Sequence, residues 1–126
     1  MHKGSCLCGA VRFEIDDVLK APDACHCSQC RKTSGHVWAS TDLREADLRL
    51  FGAEHVTWFQ SSEKVKRGFC ATCGASLFWK PVHKDTIAVA MGAFDTPTRT
   101  QIAMHIFVAD KGDYYTLGDG VPQNQQ

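Results

Sequence analysis

Seven cysteines stand in three tight groups: Cys6-Leu7-Cys8, Cys25-His26-Cys27-Ser28-Gln29-Cys30 and Cys70-Ala71-Thr72-Cys73. These are metal-ligand spacings. In an extended chain residues two apart point the same way, so Cys6 with Cys8, and Cys25 with Cys27, can each present two sulfurs to one ion. Cys70 and Cys73 enclose a tight turn, and Gly74 follows at once to supply the positive φ that such a knuckle often needs.

A structural zinc ion takes four protein ligands in a tetrahedron, whereas a catalytic one keeps three and leaves a place for water or substrate. Seven cysteines divide into four and three. The simplest partition joins Cys6, Cys8, Cys70 and Cys73 in a closed site that staples the start of the chain to its middle. Cys25, Cys27 and Cys30 remain as a local triad whose fourth place is either open or closed from elsewhere. If a histidine closes it, His105 in Met104-His105-Ile106-Phe107 is the better candidate, because His26 lies between two ligands and in an extended strand points away from the ion. Disulfides fit poorly, since an odd number cannot all pair and intracellular thiols stay reduced.

Around the triad, Arg31 and Lys32 follow Cys30 directly, where positive charge would offset three thiolates on one divalent ion. Trp38 comes just after them and is a candidate pocket wall, while Trp58 and Trp79 read as core. His36, His55 and His83 have no partner motif and read as surface or satisfied core residues.

The elements that must position these residues are short. Val11–Ile15 and Leu48–Leu50 alternate apolar and polar, and Ile87–Met91 is a brief apolar run, so all three predict strands. Val37–Ala39, Val56–Phe59, Leu77–Trp79 and Ile102–Val108 predict further strands. Turn signals at Phe51-Gly52, Arg67-Gly68, Gly74 and Lys111-Gly112-Asp113 lie too close together for long helices. A short helix is expected over Ser28–Thr33, capped by Ser28, and a second near Thr41–Ala46. An antiparallel, mainly β fold follows.

A chain of 126 residues with 44% apolar and 22% charged residues fits one globular domain, placed at 1–120, with a flexible tail over 121–126. Fourteen basic residues balance fourteen acidic ones, which argues against a general nucleic-acid binder or a protein held on an anionic membrane. Small-molecule partners fit better. No apolar run approaches the roughly 20 residues that span a bilayer, and Met1–Cys6 has no signal-peptide core, so a soluble cytoplasmic protein is expected.

Four stretches, in order, carry a resemblance: Gly4-Ser5-Cys6-Leu7-Cys8-Gly9-Ala10-Val11, Cys25-His26-Cys27-Ser28-Gln29-Cys30-Arg31-Lys32, Arg67-Gly68-Phe69-Cys70-Ala71-Thr72-Cys73-Gly74 and His105-Ile106-Phe107-Val108. In these the chain resembles the glutathione-dependent formaldehyde-activating (GFA) enzymes and their centromere-protein-V-like relatives. The resemblance implies an Mss4-like β-tent, built from small antiparallel sheets around a structural zinc site. It implies two zinc ions per chain, with Cys6, Cys8, Cys70 and Cys73 holding the structural one and Cys25, Cys27 and Cys30 the catalytic one. It also implies a carbon–sulfur lyase-type activity on the adduct of a thiol, such as glutathione, with a small aldehyde, such as formaldehyde. The alternatives are a zinc-stabilised binding module without catalysis, and a thiol redox enzyme, for which the four-plus-three division leaves no free cysteine. At Lys111–Tyr115 the chain departs from the proline and tryptophan common in the family.

Overall fold

The computed structural model describes residues 1–126. Ten short strands form two sheets. The smaller sheet orders β1 (His2–Ser5), β2 (Arg12–Ile15) and β5 (Arg49–Phe51), with both pairings antiparallel. The larger contains β3 (Asp23–Cys25), β4 (Trp38–Arg44), β6 (Val56–Gln60), β7 (Val65–Cys70), β8 (Ser76–Pro81), β9 (Thr86–Ala90) and β10 (Met104–Ile106), in the order β10-β3-β4-β9-β8-β7-β6. The mainly β expectation holds. One pairing departs from the antiparallel rule, because β10 runs parallel to β3, with Ile106 beside Cys25.

Alternation explains the core. Val11, Phe13 and Ile15 turn their side chains inward from the small sheet and meet Leu77, Phe78, Ile87 and Val89 from the large one. Phe13 contacts Phe78 and Phe94 edge-on, at ring separations of 6.3 and 5.1 Å. At roughly 1.5–3 kcal/mol per fully buried large apolar side chain, this cluster is the main apolar support of the fold.

The one α-helix, α1 (Ser28–Ser34), runs a residue beyond the expected Ser28–Thr33. Its cap is not Ser28. The Cys27 sulfur accepts the Cys30 N–H at 3.3 Å, so a predicted metal ligand also starts the helix. Gly35, at φ 87°, ends it by returning its N–H to the Arg31 carbonyl. The helix expected near Thr41–Ala46 is absent: Thr41 is buried in β4 and donates to the Lys20 carbonyl at 2.6 Å, and only Glu45–Asp47 makes a single 3-10 turn. Sheet pairing with β9 overrides the local preference.

The expected loose end over 121–126 lies against β10. The His105 N–H donates to Pro122, Asn124 donates back to His105, and Val108 donates to Asn124, at 2.9, 2.8 and 3.1 Å. A run of Gln and Asn gives no apolar signal for such docking, which rests on backbone groups alone. No helix is long and apolar enough to cross a membrane.

Candidate metal centre

The four-sulfur group forms where β1 ends and β7 turns. Val11 donates its N–H to the Cys6 sulfur at 3.3 Å, and Cys73 donates to the Cys70 sulfur at 3.5 Å. Gly74 closes the second turn onto the Cys70 carbonyl at 2.8 Å with φ 77°, the role its position predicts. All four sulfurs lie within 4.8 Å of one another, with Cys6–Cys8 at 3.6 Å and Cys8–Cys70 at 3.7 Å.

These separations test the fit to zinc. A tetrahedral ion with zinc–sulfur bonds of about 2.3 Å sets its sulfurs roughly 3.8 Å apart, whereas a disulfide requires about 2.0 Å. The spacing matches the first, and none of the seven cysteines is in a disulfide. The acid–base pattern agrees. Backbone N–H donors from Cys8 and Ala75 draw the Cys73 thiol down to about 6. Against a hydrogen bond from Ala10, burial and the three neighbouring sulfurs push Cys8 up to about 11. Sulfurs this close resist collective ionisation until a cation balances them.

The second group comprises Cys25 at the end of β3, Cys27 at the cap of α1 and Cys30 in its first turn, with their sulfurs within 4.8 Å of one another. No fourth cysteine, histidine or carboxylate joins them. Cys25 is pushed far up by its hydrogen bond to Cys30 and by burial. The same hydrogen bond draws Cys30 down to about 6, and against the effect of burial the Arg67 guanidinium adds to the fall.

Sequence reasoning missed Arg67. It is 6% exposed, and its Nη1 and Nη2 approach the Cys30 sulfur at 3.7 and 3.6 Å. Arg67 supplies the positive charge expected of Arg31 and Lys32. Lys32 is exposed, Arg31 acts on Tyr115, and neither donates to a sulfur. Arg67 opens the Arg67-Gly68-Phe69-Cys70 stretch, and its presence on the strand that delivers Cys70 was the available signal.

His105 does not close the triad. Its Nδ1 bonds His26 Nε2 at 2.9 Å, and its Nε2 donates to Asp119 at 2.7 Å. His26 is 1% exposed and reaches Tyr115 Oη through Nδ1. The relay Asp119–His105–His26–Tyr115 therefore grips His26 on the side away from the sulfurs and anchors the strand between Cys25 and Cys27. His36 likewise finds a partner, Tyr114.

A cavity of about 410 Å³ opens beside the triad, lined by Cys25, Cys27 and Cys30, by Arg67, and by Trp38 and Trp79. Trp38 is the wall its position predicts; Trp79, expected in the core, joins it. A larger space of about 620 Å³ lies between Cys6 and α1, but no charged side chain lines it. The chemistry is concentrated at the first cavity.

The family model described as "Glutathione-dependent formaldehyde-activating enzyme" matches residues 1–110. A protein of Halomonas elongata, whose name proposes a glutathione-dependent formaldehyde-activating enzyme, is 32% identical over 125 aligned residues, covering 91% of this chain and 80% of its own. A Schizosaccharomyces pombe protein named as an uncharacterized lyase is 23% identical over 94% of this chain and 86% of its own. A crystal structure of a Rhodobacter sphaeroides protein superposes with a TM-score of 0.63 at 28% identity, covering 79% of this chain and 98% of the other. With the family model matching residues 1–110 and a relative 32% identical over 91% of this sequence, the chain belongs to the glutathione-dependent formaldehyde-activating enzyme family.

Proposed function

We propose that this protein is a zinc-dependent carbon–sulfur lyase-type enzyme that makes or breaks the adduct of a thiol with a small aldehyde. Cys25, Cys27 and Cys30 hold the reactive zinc, and Cys6, Cys8, Cys70 and Cys73 hold a structural one. The observation that carries this reading is a three-sulfur group with no fourth protein donor, placed on the wall of a ligand-sized cavity.

Zinc bound there supplies Lewis acidity toward an aldehyde oxygen and favours the thiolate form of a bound thiol. The three cysteines act as ligands, not nucleophiles. Arg67 holds Cys30 through its paired Nη contacts, and the His26 relay holds Cys25 and Cys27 from behind. Trp38 and Trp79 exclude water and confine the two reactants, which converts an encounter in solution into a reaction between neighbours. In the forward direction the thiol sulfur bonds to the carbonyl carbon, the carbon–oxygen π pair moves onto oxygen, and the thiol proton ends there. Cleavage reverses each movement.

The names of the relatives point to glutathione and formaldehyde as the first pair to assay. A reducing compartment such as the cytoplasm suits seven free thiols. Exchange NMR on formaldehyde and a panel of thiols, with metal content measured, tests the reading. Zinc-dependent acceleration for at least one pair supports it. Its absence for every pair leaves a zinc-stabilised binding module.

A further inference from the structure

Ile106 stands beside Cys25 in the parallel pairing of β10 with β3, and Phe107 follows it directly. Consecutive residues of a strand send their side chains to opposite faces. Here both residues line the triad cavity. The exception has a visible cause: Phe107 sits at φ 54°, in the left-handed region, so the alternation breaks at this residue.

That conformation is costly for a bulky side chain, and glycine takes it at five other places in this chain. It is imposed by the surroundings. Val108 donates its N–H to the Asn124 carbonyl and Asp110 donates to the Phe107 carbonyl, both at 3.1 Å, so the docked tail and the 3-10 turn that follows hold the residue in place. Packing does not offset the cost. Phe107 belongs to neither apolar cluster and remains 40% exposed at the edge of the cavity. A strained residue kept without a packing gain points to a role toward a ligand.

Charge narrows the kind of ligand. Arg67 is the only basic residue lining the cavity, and its Nη atoms are already engaged by the Cys30 sulfur and, at 3.4 Å, by Gln29 Oε1. A carboxylate brought inside would find no free cation and lie unpaired, which is costly. An aromatic body would instead meet three rings, those of Trp38, Trp79 and Phe107.

We propose that Phe107 is a specificity-determining residue, and that the thiol accepted at the triad carries an uncharged aromatic body close to its sulfur. The inference rests on the proposed function for its sulfur anchor. Phe107 is one step along the chain from the residue beside Cys25, about 3.3 Å by strand geometry, so its ring meets a group joined to sulfur through a short link.

Three thiols that all present sulfur on a methylene carbon separate ring from charge: phenylmethanethiol, its para-carboxylate and mercaptoethanol. Their binding to the purified, metal-containing protein is measured by calorimetry, without aldehyde. Phenylmethanethiol is expected to bind about tenfold more tightly than either of the others. Phe107→Ala should bring its preference over mercaptoethanol to within about threefold, while affinity for mercaptoethanol is unchanged. Phe107→Gly, which relieves the backbone, should lose the preference equally and keep or raise the melting temperature. Equal affinity for phenylmethanethiol and mercaptoethanol, or a preference that survives both substitutions, overturns the proposal. A loss of preference that comes in both variants only with a lowered melting temperature assigns the ring to packing and overturns it too. The reaction is judged separately. If the ranking and its dependence on Phe107 hold but no adduct formation is accelerated, the catalytic reading falls and the specificity stands; if adducts form equally fast from all three thiols, the reverse is true.

Discussion

The four-sulfur group ties together chain positions 62 residues apart, through Cys8 and Cys70, and buries Cys6 and Cys70 in the main apolar core. The three-sulfur group is drawn from one short segment, shares only a small buried cluster with Trp38, Ala88 and Ala90, and borders open space. Joining distant points removes more freedom from an unfolded chain than joining neighbours does. An ion bound in the first group would therefore hold the sheets together, while one bound in the second would organise little beyond its own loop. Ligand type is identical in the two; placement in the chain decides which role each can take.

The largest expected effect separates them directly. Structural zinc contributes on the order of 10 kcal/mol to small metallodomains, so Cys70→Ser should abolish cooperative thermal unfolding followed by circular dichroism. Cys27→Ser should retain that transition and lose one of two zinc ions by elemental analysis. Equal collapse of both variants would erase the contrast. Next in size is the response to a chelator: one ion leaves the folded protein, and the other leaves only as the fold melts. Simultaneous release of both would show that the triad is also structural.

Smaller effects sharpen the picture within the triad. Removing a side chain that supports metal ligands commonly weakens metal affinity about 10–100-fold, and Arg67→Met should do so at the middle group alone. A chromophoric chelator competition resolves the two ions, and a matching loss at the four-sulfur group would reassign Arg67 to general stability. The smallest change concerns Asp119, whose carboxyl is held below its ordinary range first by the hydrogen bond from His105 and then by the Val121 N–H. A depressed folded pKa stabilises the fold above the unfolded value and is lost as pH falls through the folded one. Asp119→Asn should thus flatten a shallow acid-side decline in melting temperature, and an unchanged profile would show that the relay carries no stability.

The cysteine partition was legible because spacing at two and three residues fixes sulfur directions locally. β3, β7 and the tail were not. Charges at Lys66 and Arg67 break the apolar pattern of β7, yet Arg67 is buried there for its contact with Cys30. β3 spans only Asp23–Cys25, too short for any period to show. The partners of His105 lie at Asp119, reached by a turn, and at His26, reached through the parallel pairing of β10 and β3, neither of which leaves a mark in a linear pattern. The helix expected near Thr41 failed for the opposite reason, since local preference was read where a long-range partner, β9, decides.

Ala88 is 2% exposed and forms part of the cavity floor, opposite Trp79 and beside Asp42. Room created by the small side chain of Ala88 can be refilled in steps, by valine and then isoleucine, without altering a sulfur or the guanidinium. Each step shortens the longest guest the protein can house, at an overpacking cost of about 1–3 kcal/mol. Guest size and bond-making chemistry are thus written at separate positions, so selection can revise one while leaving the other intact.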